Sequence, residues 1–145
     1  MAKFEMQLPN DVLKDFERIY NDTEKIFGDM VKAGADTVML NIHGSVPSAF
    51  RDSNIMKCLK MTRVYKTPTD DGINCKVGFY GYFINKRGVR TPAPLVANVF
   101  EYGASHSDWG FPKHPFFRKA FKKSVIEKAM LEAQRTASGG ILTDE

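Results

Sequence analysis

One stretch in the last third of the chain gathers most of the side chains that could do chemistry: Glu101, His106, Asp108, Trp109 and His114, set around Gly103 and Gly110. His106 and His114 with Asp108 would be three candidate metal ligands. The two histidines, however, stand eight residues apart in loop sequence, without the HExxH spacing of a helical zinc site or neighbouring cysteines. Loop and capping roles are the expectation for both. Glu101 as a general acid would need a partner carboxylate, and only Asp108 accompanies it. The expectation for Glu101 is a pairing with a basic residue, or a cap on the loop that follows. His43 falls at a helix end, where the helix dipole favours it. Cys58 and Cys75 are far apart with no CxxC spacing, which predicts two reduced, partly buried thiols. Gly72, Gly78, Gly81 and Gly88 are spread through a hairpin and its exit, so turn geometry accounts for them and no phosphate-cradling loop is read. No catalysis, no cofactor and no metal are expected.

Charge gives a second set of candidates. Lys86, Arg87 and Arg90 form one basic cluster near aromatic residues, and Arg118, Lys119, Lys122 and Lys123 form another. Such pairings suit nucleic acid, but the second cluster reads more simply as the solvated face of a helix. The formal net charge of +4 is mild and argues for no acidic partner by itself. A chain of 145 residues fits one domain and buries roughly two-thirds of its unfolded surface. Hydrophobic and charged contents of 43% and 26% are ordinary, whereas eleven phenylalanines are many, so aromatic packing should dominate a core or an interface. No run of about 18 apolar residues reads as a membrane span. The N-terminus lacks the regions of a signal peptide, so the chain is expected to stay in the cytoplasm that makes it.

The elements that must position these residues follow from periodicity. From Asn10, the residues Val12, Leu13, Phe16, Ile19, Tyr20, Ile26, Phe27, Met30 and Val31 fall on one helical stripe. Pro9-Asn10-Asp11 offers a capping side chain and an acidic first turn. The stripe blurs at Lys32-Ala33-Gly34-Ala35, which predicts a bend or short break before a second piece from Asp36 to His43. Pro47 ends it. Ser53 or Asn54 caps a short helix through Ile55, Met56 and Leu59. A β-rich run from Met61 to Thr67, a turn at Pro68 to Gly72, and a run from Ile73 to Tyr82 read as an antiparallel hairpin, with Gly78 and Gly81 marking a bulge or close backbone approach. Residues 85–90 read as a mobile basic turn. Thr91-Pro92 starts a helix that Gly103 ends, and a last helix runs from about Pro115 to Thr136. The expected architecture is α+β: a small antiparallel sheet packed by a long N-terminal helix and a C-terminal helix. One domain spans 1–137, with a flexible tail at 138–145. The N-terminal stripe is the predicted core.

The last helix carries an irregularity. Phe116, Phe117, Ala120 and Phe121 cluster on one side, while Val125, Ile126, Ala129 and Ala133 lie nearly opposite. Two halves burying against different things, one of them another subunit, would produce that drift.

Ala97-x-x-x-Glu101-Tyr102-Gly103, followed by His114-Pro115-Phe116-Phe117-Arg118-x-Ala120, resembles a motif of small bacteriophage proteins: the tail-component, tail-completion or head–tail joining proteins of long-tailed phages and prophages. The order of a long N-terminal helix, the loop at Val46-Pro47 and a hairpin bearing Lys76-Val77-Gly78 is also similar. Many relatives follow the Val-Pro loop with Thr-Gly-x-Leu, whereas this chain has Ser48-Ala49-Phe50-Arg51, so nothing is carried over to residues 48–60. The resemblance implies a structural virion protein at the neck or tail end, without cofactor, assembled in the bacterial host cytoplasm. Its implied partners are further copies of itself in a ring and other neck and tail-tube proteins, with no membrane and at most a transient nucleic-acid contact in the lumen. A tail terminator is the alternative role, and a small basic nucleic-acid-binding protein the alternative outside that class. Interface residues are expected at Trp109, Phe111, Phe116, Phe117 and Arg118, with Glu101 and Tyr102 fixing the loop entrance. Trp109 and Phe111 either await a partner or fold back on the domain's own core.

Overall fold

A computed structural model describes residues 9–104 and 110–139. Helix α1 (Asn10–Ser45) is a single rod of 36 residues, about 54 Å long at 1.5 Å per residue. The predicted break near Gly34 is absent. A Cβ at Gly34 would lie 3.2 Å from Met130 and 3.3 Å from Ile126, so this glycine admits a neighbouring helix and does not act as a hinge. The predicted side-chain cap is also absent: Pro9 holds the cap position without a side-chain hydrogen bond, and Asp11 alone supplies first-turn acidity. The rod stops as expected, with Val46 extended ahead of Pro47.

Helix α2 (Ser48–Arg51) and a 3-10 turn (Asn54–Cys58) follow. Ser53 Oγ accepts from the Ile55 N–H at 3.3 Å, which is the cap read from the sequence. The hairpin is present in two ladders. Strand β1 (Leu59–Met61) pairs β4 (Val77–Phe79), with Leu59 opposite Phe79, and β2 (Tyr65–Lys66) pairs β3 (Ile73–Asn74), with Tyr65 opposite Asn74. Between the ladders, Thr62 still bonds to Lys76. Arg63 and Val64 therefore oppose Cys75 alone, and the bulge lies there, not at Gly78 or Gly81. Gly81, at φ 80°, turns the chain into a second hairpin of β5 (Tyr82–Ile84) and β6 (Arg90–Pro92). The basic turn read as mobile is pinned: Asn85 Oδ1 accepts from the Arg87 and Val89 N–H groups at 2.9 and 3.0 Å.

Helix α3 (Ala93–Tyr102) begins one residue later than predicted, with Pro92 and not Thr91 at the cap, because Thr91 and Pro92 belong to β6. The long C-terminal helix is in fact two: α4 (Phe117–Ala120) and α5 (Lys123–Ala137). Phe121 (ψ 60°) and Lys122 (ψ 109°) leave helical geometry between them. That break resets the helical phase and explains the drifting stripe. α4 turns Phe116 and Ala120 into the core, and α5 lies on α1. The first half is covered within the chain at Phe116 and Ala120, whereas in the second Val125 stays 42% exposed and no residue of α5 is fully buried.

Phe50 sits at the centre of the core, its ring edge-on to Phe100, Phe116 and Phe79 with centroids 4.6, 5.2 and 5.9 Å away. Val38, Ile42, Val46, Ile55, Phe83 and Ala97 complete the shell. The predicted core stripe is largely elsewhere. Of it only Ile26 is buried, while Val12, Leu13, Phe16, Tyr20 and Phe27 are exposed, Tyr20 to 82%. Ser138, predicted to begin a loose tail, is buried, and its N–H closes on the Gln134 carbonyl at 2.9 Å. No helix among the described residues is long and apolar enough to cross a membrane.

Candidate functional site

Helix α3 ends at Gly103, whose φ of 75° favours glycine and whose Cβ would lie 2.7 Å from the Phe111 carbonyl. Ala104 and Phe111 exchange backbone hydrogen bonds of 3.0 and 2.8 Å, closing the loop at its base. The His114 N–H then donates to the Phe100 carbonyl at 2.7 Å and returns the chain beneath α3. This return sets three successive N–H groups against the Glu101 carboxylate. Oε2 accepts from Phe116 and Phe117 at 2.8 and 2.9 Å. Oε1 accepts from the Arg118 backbone at 3.2 Å and from Arg118 Nε at 2.8 Å. The first amides of a helix have no partners of their own and present positive charge, so a carboxylate supplied from another helix satisfies them. The Arg118 guanidinium also lies over the Tyr102 ring, 5.0 Å from its centroid.

Glu101 is 3% exposed. Burial alone would raise its carboxyl pKa, but the amides of Phe116 and Phe117 with Arg118 outweigh burial and hold it below the ordinary 4.5. With four donors on its two oxygens and its charged form favoured, Glu101 is a clasp and not a general acid. Tyr102 and Gly103 serve the same fastening. Among the described residues no group of three His, Cys, Asp or Glu stands together to hold a metal. Both cysteines are free thiols, Cys58 buried and Cys75 half-buried.

The predicted interface residues therefore divide. Phe116 is 1% exposed and part of the core, so the aromatic anchor expected there faces inward. Glu101 is buried with it, and Phe117 is half-buried, its ring 5.3 Å from Phe121. Tyr102, Phe111 and Arg118 stay at the surface, and Phe111 packs edge-on to Phe100 at 4.9 Å while remaining 38% exposed. Trp109, with His106 and Asp108, lies outside the described residues.

Sequence reasoning missed a groove of about 500 Å³ between the last turns of α1 and the α4–α5 break. Leu40, Gly44 and Phe121 line it together with Asn41, Ser45 and the basic Arg118, Lys119 and Lys122. Leu40, 73% exposed, was legible as a leucine out of phase with the buried stripe of its own helix. Of the basic residues, Arg118 is held by Glu101, and Arg90 stacks on Tyr82 at 4.3 Å. No family model, curated protein or solved structure matches the chain.

Proposed function

We propose that this chain is a structural subunit of a tailed-phage or prophage particle, joining head and tail or completing the tail at the neck by ring-like self-assembly. The observation that carries the reading is the Glu101 clasp. The two short motifs on which the resemblance rests are one physical unit, in which the carboxylate of the first holds the helix start of the second. That fastening supports reading the two strings together, as one unit of this chain. A subunit of this kind binds other proteins and performs no catalysis, and the many exposed apolar side chains along α1, α5 and the second hairpin suit a surface that neighbours cover. Further copies of the chain, the neck proteins and the tail tube are its partners, within a virion assembled in the host cytoplasm.

Electron microscopy of particles lacking the protein tests this. Heads and tails that form separately but never join support completion, and overlong tails support a terminator. Normal virions overturn both. The nucleic-acid alternative draws on Lys86, Arg87, Lys119 and Lys122, all exposed. DNA binding that falls steeply with salt would favour it over the structural role.

A further inference from the structure

We propose that copies of this chain join end to end, the projecting first turns of α1 of one copy seating in the Gly44 groove of the next. The proposal rests on the assembly reading above and names the two surfaces it would use.

The first surface is an uncovered helix face. Val12, Leu13, Phe16 and Tyr20 share one side of α1 at helical spacing, and they are 37%, 44%, 58% and 82% exposed. At 100° per residue Asp15 and Glu17 border that face, while Lys14 and Arg18 point the other way. An apolar stripe with acidic margins results.

The second surface has the opposite character. The groove at the far end of α1 presents Leu40 and Phe121, 73% and 47% exposed, beside Lys119 and Lys122. Neither lysine makes an ion pair among the described residues. A groove that offers Leu40 and Phe121 beside basic side chains complements an apolar stripe with acidic margins, and charge matched this way steers association and fixes register.

Gly44 supplies an independent reason for an approaching chain. A glycine weakens a helix relative to alanine, and Gly34 has its explanation in the α5 side chains against it. At Gly44 a Cβ would meet nothing within 4 Å, and its φ lies outside the left-handed region. Among the described residues nothing needs that position to be glycine. A helix laid across it would.

The match can be made only between copies. Leu40 stands about 36 Å along α1 from Phe16 at 1.5 Å per residue, and α1 is one unbroken helix. Its two ends cannot meet each other. A contact between different patches on identical subunits propagates, and closes into a ring when the rotation allows.

Sedimentation velocity and native mass spectrometry on the full chain, over a range of concentrations at low and physiological salt, test the contact. The wild type should associate. D15K/E17K and K119E/K122E should each raise the dissociation constant at least ~10-fold, and the variant carrying all four changes should recover association. G44L should dissociate while circular dichroism and the melting temperature report a folded chain. F16S gives the same test at the other surface if G44L fails to fold. A wild type that stays monomeric at every concentration overturns the proposal. So does association that none of these variants weakens, or a four-fold variant that binds no better than the doubles. Association untouched by every variant would leave ring assembly standing through other surfaces, whereas normal virions without the protein would remove the assembly reading itself.

Discussion

The two halves of α1 carry the same periodicity and meet different surroundings. Toward the C-terminus, Gly34, Ala35, Val38 and Ile42 are buried, Ile42 completely at 0%. Toward the N-terminus, Val12, Leu13, Phe16 and Tyr20 continue that side of the helix into the open. The difference is supply. Phe50, Phe79, Phe116 and Ala120 converge on the last turns of the rod. Along the rest α5 runs back only until Gly139 reaches Arg18, where a Cβ would lie 3.0 Å from the guanidinium. Amphipathic spacing states which side of a helix should face something. It does not state whether the chain has anything left to put there.

Substitutions sharpen the contrast, the largest effects coming from the crowded end. Phe116→Ala should cost about 3–5 kcal/mol in urea unfolding, since the cavity opens among rings that cannot close it. Glu101→Ala should cost about 3 kcal/mol, because three helix-start amides and Arg118 lose a buried charged partner. The same clasp sets a pH dependence. A folded-state pKa held below the usual 4.5 contributes stability that is complete above that value and disappears as pH falls through the lowered one. Melting temperature should therefore fall on acidification below about pH 4, and Glu101→Gln should remove this carboxylate's share of the fall. Gly44→Ala should raise stability by about 0.5–1 kcal/mol. Gly34→Ala should gain less or lose, because Met130 and Ile126 must yield. The smallest effect belongs to the open end: Phe16→Ala should change monomer stability by less than about 0.5 kcal/mol. A loss like that of Phe116→Ala would mean the two halves are equally covered.

Much of the architecture was legible in the residues. Pro47 and Gly103 stop helices where their backbone chemistry requires it, Ser53 caps the turn after it, and alternation around Pro68 to Gly72 marks the hairpin. Glu101 was readable as an ion-pair partner, which it is for Arg118, but the cap it makes is on the helix start at Phe116 to Arg118 and not on the loop directly after it. The bulge was sought at glycines, whereas Arg63 and Val64 form it through a register mismatch between the two ladders. The break at Phe121-Lys122 contains neither glycine nor proline, and its one trace in the sequence was the change of helical phase. Phe116 looked like a surface anchor because hydrophobicity alone does not say which way a residue at a helix start will face.

Local chemistry, then, determined most of the segments and several of their ends, because capping and turn formation act over a few atoms. The clasp of Glu101 on the Phe116-Phe117-Arg118 amides joins residues 15 to 17 apart and needed the tertiary fold. Only the tertiary structure decided which apolar stripe became core. Burial is a property of two surfaces, and the sequence of α1 contains one of them.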